Sequence, residues 1–101
     1  MTLRKACANP AAPGAGQAVD RAFESLRSLI ASRGSKDPYP AHVFGSQTLG
    51  WCNRASLTPR ARRALIREAK EIVEKAFAMH RGRSELEQLF FDLKVAELKP
   101  V

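Results

Sequence analysis

The sequence predicts an all-α single domain of three principal helices, one of them long and central, with an irregular but ordered loop between the first and the second. Three observations lead there. Apolar residues recur at helical spacing in three separate stretches. Residues that start and stop helices bracket those stretches. The chain has 101 residues, 45% of them hydrophobic and 27% charged, a composition that suits one globular domain and not a disordered polymer.

Residues 1–17 (MTLRKACANPAAPGAGQ) are rich in Ala, Pro and Gly and have no apolar period to bury. They are expected to form a disordered tail, which leaves residues 18–101 as the helical domain. Arg4 and Lys5 are not followed by an apolar segment, so no secretory signal is read there. No apolar run approaches the roughly 20 residues of a membrane span. A cytoplasmic protein is therefore expected. Cys7 lies in the tail, which argues against a disulfide to Cys52. There is no CxxC pair, and His42 and His80 are far apart in sequence, so neither a metal site nor a cofactor is expected.

From Val19 to Arg33 the residues Val19, Ala22, Phe23, Leu26, Leu29 and Ile30 make one apolar stripe, with Gly34 as a stop. Residues 35–57 look irregular. Asp37-Pro38 and Tyr39-Pro40 force extended or turn geometry, because a residue before proline avoids the helical region. Val43, Phe44, Leu49 and Trp51 nevertheless exceed what a solvated linker would carry, so an ordered loop is expected, either with a helical turn from Ser46 or as a small hairpin across Gly45-Ser46.

The long helix opens at Thr58, whose hydroxyl can cap the first turn, and at Pro59, where a missing N–H costs nothing. It runs to His80, with Gly82 as the stop. At 100° per residue, Ala61, Leu65, Ala69, Ile72, Ala76 and Met79 form one stripe, and Ile66, Val73 and Phe77 form a second beside it. The apolar arc spans about 160°, more than one neighbouring helix can cover. Either two elements of the same chain cover it, or Ile66, Val73 and Phe77 face a second copy in a homodimer.

Ser84 and Glu87 give a capping box for a last helix from Glu85 to Leu98, ahead of Pro100. Leu86, Leu89, Phe90, Leu93 and Ala96 share one face; Phe91, Val95 and Leu98, at i, i+4 and i+7, share the other. The second stripe is either covered by the 35–57 loop or kept for a partner.

The net charge of +7 is concentrated in residues 58–83, which hold eight Lys and Arg against three Glu, while residues 84–101 hold four carboxylates against two lysines. Arg60, Arg63 and Arg67 would steer acidic partner surfaces. Two isolated histidines and dispersed carboxylates do not converge as catalysis requires, so no enzyme is read here. The string LTPRARRALIREA is similar to the opening helix of helix-turn-helix units, which keeps a small basic DNA-binding protein in play. Against that, the following helix carries Glu85, Glu87, Asp92 and Glu97 against Lys94, and phosphate would repel it.

The basic chain with its tail and helices, and the segments RALIREAKEIVEKAF and LEQLFFDLKVAEL, resemble small bacterial anti-activators of quorum sensing of the QslA type. That resemblance implies binding to the ligand-binding domain of a LuxR-type transcription factor and inhibition of its dimerisation. Helical geometry, separately, nominates Phe91, Val95 and Leu98 as the partner-binding residues. The expectation is a non-catalytic regulator of transcription that works by occupying another protein's apolar surface.

Overall fold

The computed structural model describes residues 14–33, 36–54 and 57–98. Residues 1–13, and with them most of the expected tail, lie outside the described residues. The described residues form four helices and no strand: α1 (Ala15–Arg33), α2 (Pro38–Arg54), α3 (Pro59–Met79) and α4 (Ser84–Leu98). The all-α class is as expected, and the number of helices is corrected.

The added helix is α2, in the stretch read from sequence as an irregular loop. Its prolines do not break it, because they stand in its first turn, where backbone amides have no intrahelical acceptor. Asp37 caps it, accepting a hydrogen bond from the Tyr39 amide at 3.1 Å, and Pro38 is the first helical residue. Ser46, expected to start a turn, is inside the helix. Ala41, Phe44, Thr48, Trp51 and Cys52 are buried at helical spacing. Thr48 is fully buried without an unmet polar group, since its hydroxyl donates to the Phe44 carbonyl at 2.7 Å.

This helix packs on each of the other three, while α3 is flanked by α2 and α4. At Gly45 the elements come so close that an added Cβ would lie 2.8 Å from Val73 Cγ2 and 2.9 Å from Leu89 Cδ2. Only a residue without a side chain allows that crossing. Phe44 joins Ile66, Val73, Leu89 and Leu93 in the main core, and Ala41, Ala76 and Leu86 form a smaller cluster against Phe77.

Helix α1 starts at Ala15, earlier than the expected Val19, because Ala15 extends the buried stripe of Val19 and Phe23 back by one turn. It attaches to α2 through Phe23 and Phe44, whose ring centroids are 4.9 Å apart. The Arg27 guanidinium lies 5.5 Å from the centre of the Phe44 ring, and it also pairs with Glu68 of α3.

Helix α3 begins as expected, with the Thr58 hydroxyl accepting from the Ala61 amide at 3.1 Å and Pro59 at the first position. Its end differs. His80 caps it, its amide donating to the Ala76 and Phe77 carbonyls, and Gly82 does not adopt a left-handed conformation. Helix α4 starts one residue before the expected Glu85. The Arg83 carbonyl accepts from the Leu86 and Glu87 amides, so Ser84 is the first helical residue and not the cap.

The middle of the broad apolar arc of α3 is thereby covered by its own chain, while Ala61 and Met79 at its two ends stay exposed. Ile66 and Val73 are completely buried, and neither offers surface to a second copy. The expected dimer face is corrected for these two residues, and the reason is α2, which supplies the covering element that an irregular loop could not. Phe77, the third residue of that face, is half-buried against Ala41, Ala76 and Leu86.

Candidate functional site

The second stripe of α4 has a different fate. Leu86, Leu89, Leu93 and Ala96 turn inward and are buried, so the helical repeat carries Phe91, Val95 and Leu98 to the opposite side. There they are 60%, 44% and 78% exposed. Three large apolar side chains in two turns of one helix are thus left in water, although the same helix contributes four buried residues to the core.

Beside the stripe runs an open groove of ≈ 440 Å³ between α4 and α2, lined by Leu49, Asn53, Phe91, Asp92, Val95 and Ala96. Its lining is mixed: Leu49, Phe91, Val95 and Ala96 are apolar, and Asn53 and Asp92 are polar. Helix α2 therefore borders Phe91 and Val95 without covering them.

The arginines named from sequence fall on one exposed face at the start of α3. Arg60, Arg63 and Arg67, with Pro59 and Ala64, line an open concavity of ≈ 450 Å³. Arg67 is 3.7 Å from Glu97, whose other oxygen lies 2.7 Å from Lys70. The hydrogen bond from Lys70, with Arg67 nearby, holds the Glu97 carboxyl below the usual glutamate range. Arg60 and Arg63 have no carboxylate partner among the described residues. Arg62, between them, reaches the Ala96 carbonyl at 3.3 Å, so the first half of α3 lies beside the last turn of α4.

A third feature was not foreseen. Asp37, Tyr39, His42, Arg83, Glu85 and Leu86 surround an open cleft of ≈ 440 Å³ where the start of α2 meets the turn before α4. The Tyr39 amide and then the Arg33 guanidinium hold the Asp37 carboxyl below its ordinary range. The Glu85 carboxyl is held low first by its own backbone amide and then by Arg83. Both carboxylates are occupied in capping and ion pairing, which is structural work at helix starts. His42 stood alone in sequence; it meets these residues only because α2 is a helix.

Comparison with protein-family models, with curated proteins and with solved structures finds no match. The site must therefore be judged on its own geometry. Among the described residues no group of three or more His, Cys, Asp or Glu is placed to hold a metal ion, and no helix is long and apolar enough to cross a membrane. The stripe on α4 gathers three of the six large apolar side chains that are exposed among the described residues, the others being Leu29, Tyr39 and Met79.

Proposed function

We propose that the chain is a non-catalytic protein-binding regulator that docks on its target through Phe91, Val95 and Leu98. One observation carries the reading: these three side chains line one face of a well-packed helix and stay exposed, next to an open groove of mixed polar and apolar lining. Burying a large apolar side chain stabilises a complex by roughly 1.5–3 kcal/mol, and an aromatic anchor seated in a partner's pocket is the usual form of a hot spot. Arg60, Arg63 and Arg67 would speed association with an acidic region of the target.

The target class comes from the resemblance to quorum-sensing anti-activators. The chain would occupy the apolar surface through which a transcription factor of the LuxR type pairs, in the cytoplasm and without a cofactor. Sedimentation of such a regulator's ligand-binding domain, alone and with the chain, tests this. The regulator's dimer should dissociate on addition of the chain, and a variant carrying Phe91→Ala and Leu98→Ala should have no effect while keeping its helix content. A dimer untouched by the intact chain sinks the choice of target.

A second reading has one observation of its own. Arg60 and Arg63 have no carboxylate partner among the described residues and sit on an open face, as phosphate-binding arginines would. Several phosphate contacts would make binding to random duplex DNA fall steeply with salt. Against it, α4 carries four carboxylates to one lysine, and Glu97 already lies 3.7 Å from the neighbouring Arg67.

A further inference from the structure

The charges around the α4 stripe restrict what can dock there. Of the four carboxylates on α4, Glu85 is 3.4 Å from Arg83 and Glu97 is 2.7 Å from Lys70. Glu87 and Asp92 have no cationic partner among the described residues; Asp92 only accepts a hydrogen bond from Gln88 at 2.9 Å. At 100° per residue, Asp92 lies on one edge of the Phe91–Val95–Leu98 stripe, and Glu87 and Lys94 lie on the other. The fold pairs the carboxylates at the ends of α4 with cations and leaves the two that border its exposed apolar face without one among the described residues.

A second copy of the chain fits this edge pattern badly in the registers that lay the Phe91–Val95–Leu98 stripe on itself. If two α4 helices packed antiparallel about a twofold axis, with each Phe91 over the other's Val95, the axis would pass at position 93. Positions 92 and 94 would then each face their own symmetry mate, Asp92 against Asp92 and Lys94 against Lys94. A parallel pairing runs its edge contacts between the g and e positions of the heptad, which sets Glu87 against Asp92. Like charges opposed at an apolar seam disfavour both arrangements.

Resting on the docking reading above, we infer that the stripe receives an amphipathic helix from a different protein, one that carries Lys or Arg at the edges of its apolar face where it crosses Glu87 and Asp92. An apolar side chain of that helix fills the groove beside Leu49 and Val95, and a cation next to it pairs with Asp92. The arginines at the start of α3 lie by the other end of the stripe, near Glu97. A helix with carboxylates in its first turn and cations in its last, the usual order for its own dipole, therefore satisfies both ends when it runs antiparallel to α4.

Two synthetic helical peptides with the same leucine face, one edged with lysine and one with glutamate, test this against the full chain. Fluorescence anisotropy at about 0.15 M salt keeps the chain's overall positive charge from dominating, since screening there acts over about 8 Å. The lysine-edged peptide should bind at least about ten-fold more tightly. The double change Glu87→Lys and Asp92→Lys should reverse the preference, and Phe91→Asp should weaken both peptides. If Phe91→Asp weakens neither, the stripe is not the docking surface and the proposed function falls with the inference. If it weakens binding but the lysine-edged peptide has no advantage, or does not bind, only the charge assignment is overturned. A dimer of the chain in sedimentation that Phe91→Asp dissociates would make the second copy the occupant and overturn the inference as well.

Discussion

Arg27 holds Glu68 through two hydrogen bonds of 2.8 Å, Nε to Oε2 and Nη2 to Oε1, and so ties the middle of α1 to α3. Both side chains are a little over a third exposed, which places the pair between a surface ion pair and a buried one. Glu68 also raises the pKa of Arg27, through the hydrogen bond first. Water screens a pair of this exposure, so Glu68→Gln should cost only about 0.5–1 kcal/mol of global stability. The more telling measurement is amide exchange. Protection in α1 should fall more than in α3, because α1 rests mainly on α2 and loses its side-chain tie to α3. Equal loss in both helices would show that the tie is not local.

Gly45 sits where α2 crosses α3 and α4, and the atoms that a new methyl would meet belong to Val73 and Leu89, both buried. Alanine has the higher helix propensity by about 1 kcal/mol, so on an exposed face Gly45→Ala would stabilise. Here overpacking opposes it, at roughly 1–3 kcal/mol, and the net effect should be a loss. A lowered urea midpoint with an unchanged slope is the expected result. A raised midpoint would mean that Val73 and Leu89 can move aside.

The helix that organises the core was the one least visible in the sequence. Thr58 and Pro59 announced α3 because capping is local chemistry that any reader of the chain can see. Asp37 and Pro38 are the same signal, but Pro40 two residues later resembled a breaker, and Gly45 lowered the helical reading further. Both act through context. Pro40 is harmless because it falls within the first turn, and Gly45 is required because two other helices press on it. Without α2 the arc of Ile66 and Val73 had no evident cover, which left a second copy as one of two ways to supply it. Phe91, Val95 and Leu98 could be set on the side of α4 away from the core because their phase depends only on the 3.6-residue repeat. The Asp37–His42–Glu85 cleft joins residues more than forty positions apart, and no local pattern encodes that.

Acidification should destabilise the fold in a direction set by three carboxyls, those of Asp37, Glu85 and Glu97. The Tyr39 amide and the Arg33 guanidinium hold Asp37 low, and the Lys70 hydrogen bond holds Glu97 low. A folded value below the unfolded one means that the unfolded chain binds protons first as pH falls. The stabilisation is thus fully present above the ordinary carboxylate values of about 4 and is lost as pH drops through the lower folded values. Asp37→Asn keeps a good capping residue but removes one titrating group. Its stability should therefore fall less steeply than that of the parent chain below about pH 4. Parallel acid limbs for the two proteins would show that Asp37 contributes nothing there.

Phe91 and Leu93 are two residues apart on α4 and should respond oppositely to truncation. Leu93 is fully buried in the main core, and Leu93→Ala should cost about 2–5 kcal/mol through lost contacts and the cavity left behind. Phe91 is 60% exposed, and Phe91→Ala should change stability by no more than about 0.5 kcal/mol. For a chain of this length 1 kcal/mol corresponds to about 4–8 °C in Tm, so thermal melts separate the two cases easily. A large loss for Phe91→Ala would mean that its ring is covered in solution by the same chain, and α4 would then have no free face to offer a partner. An unchanged melt leaves the ring with no structural task inside the monomer, which is the condition that any docking role for it requires.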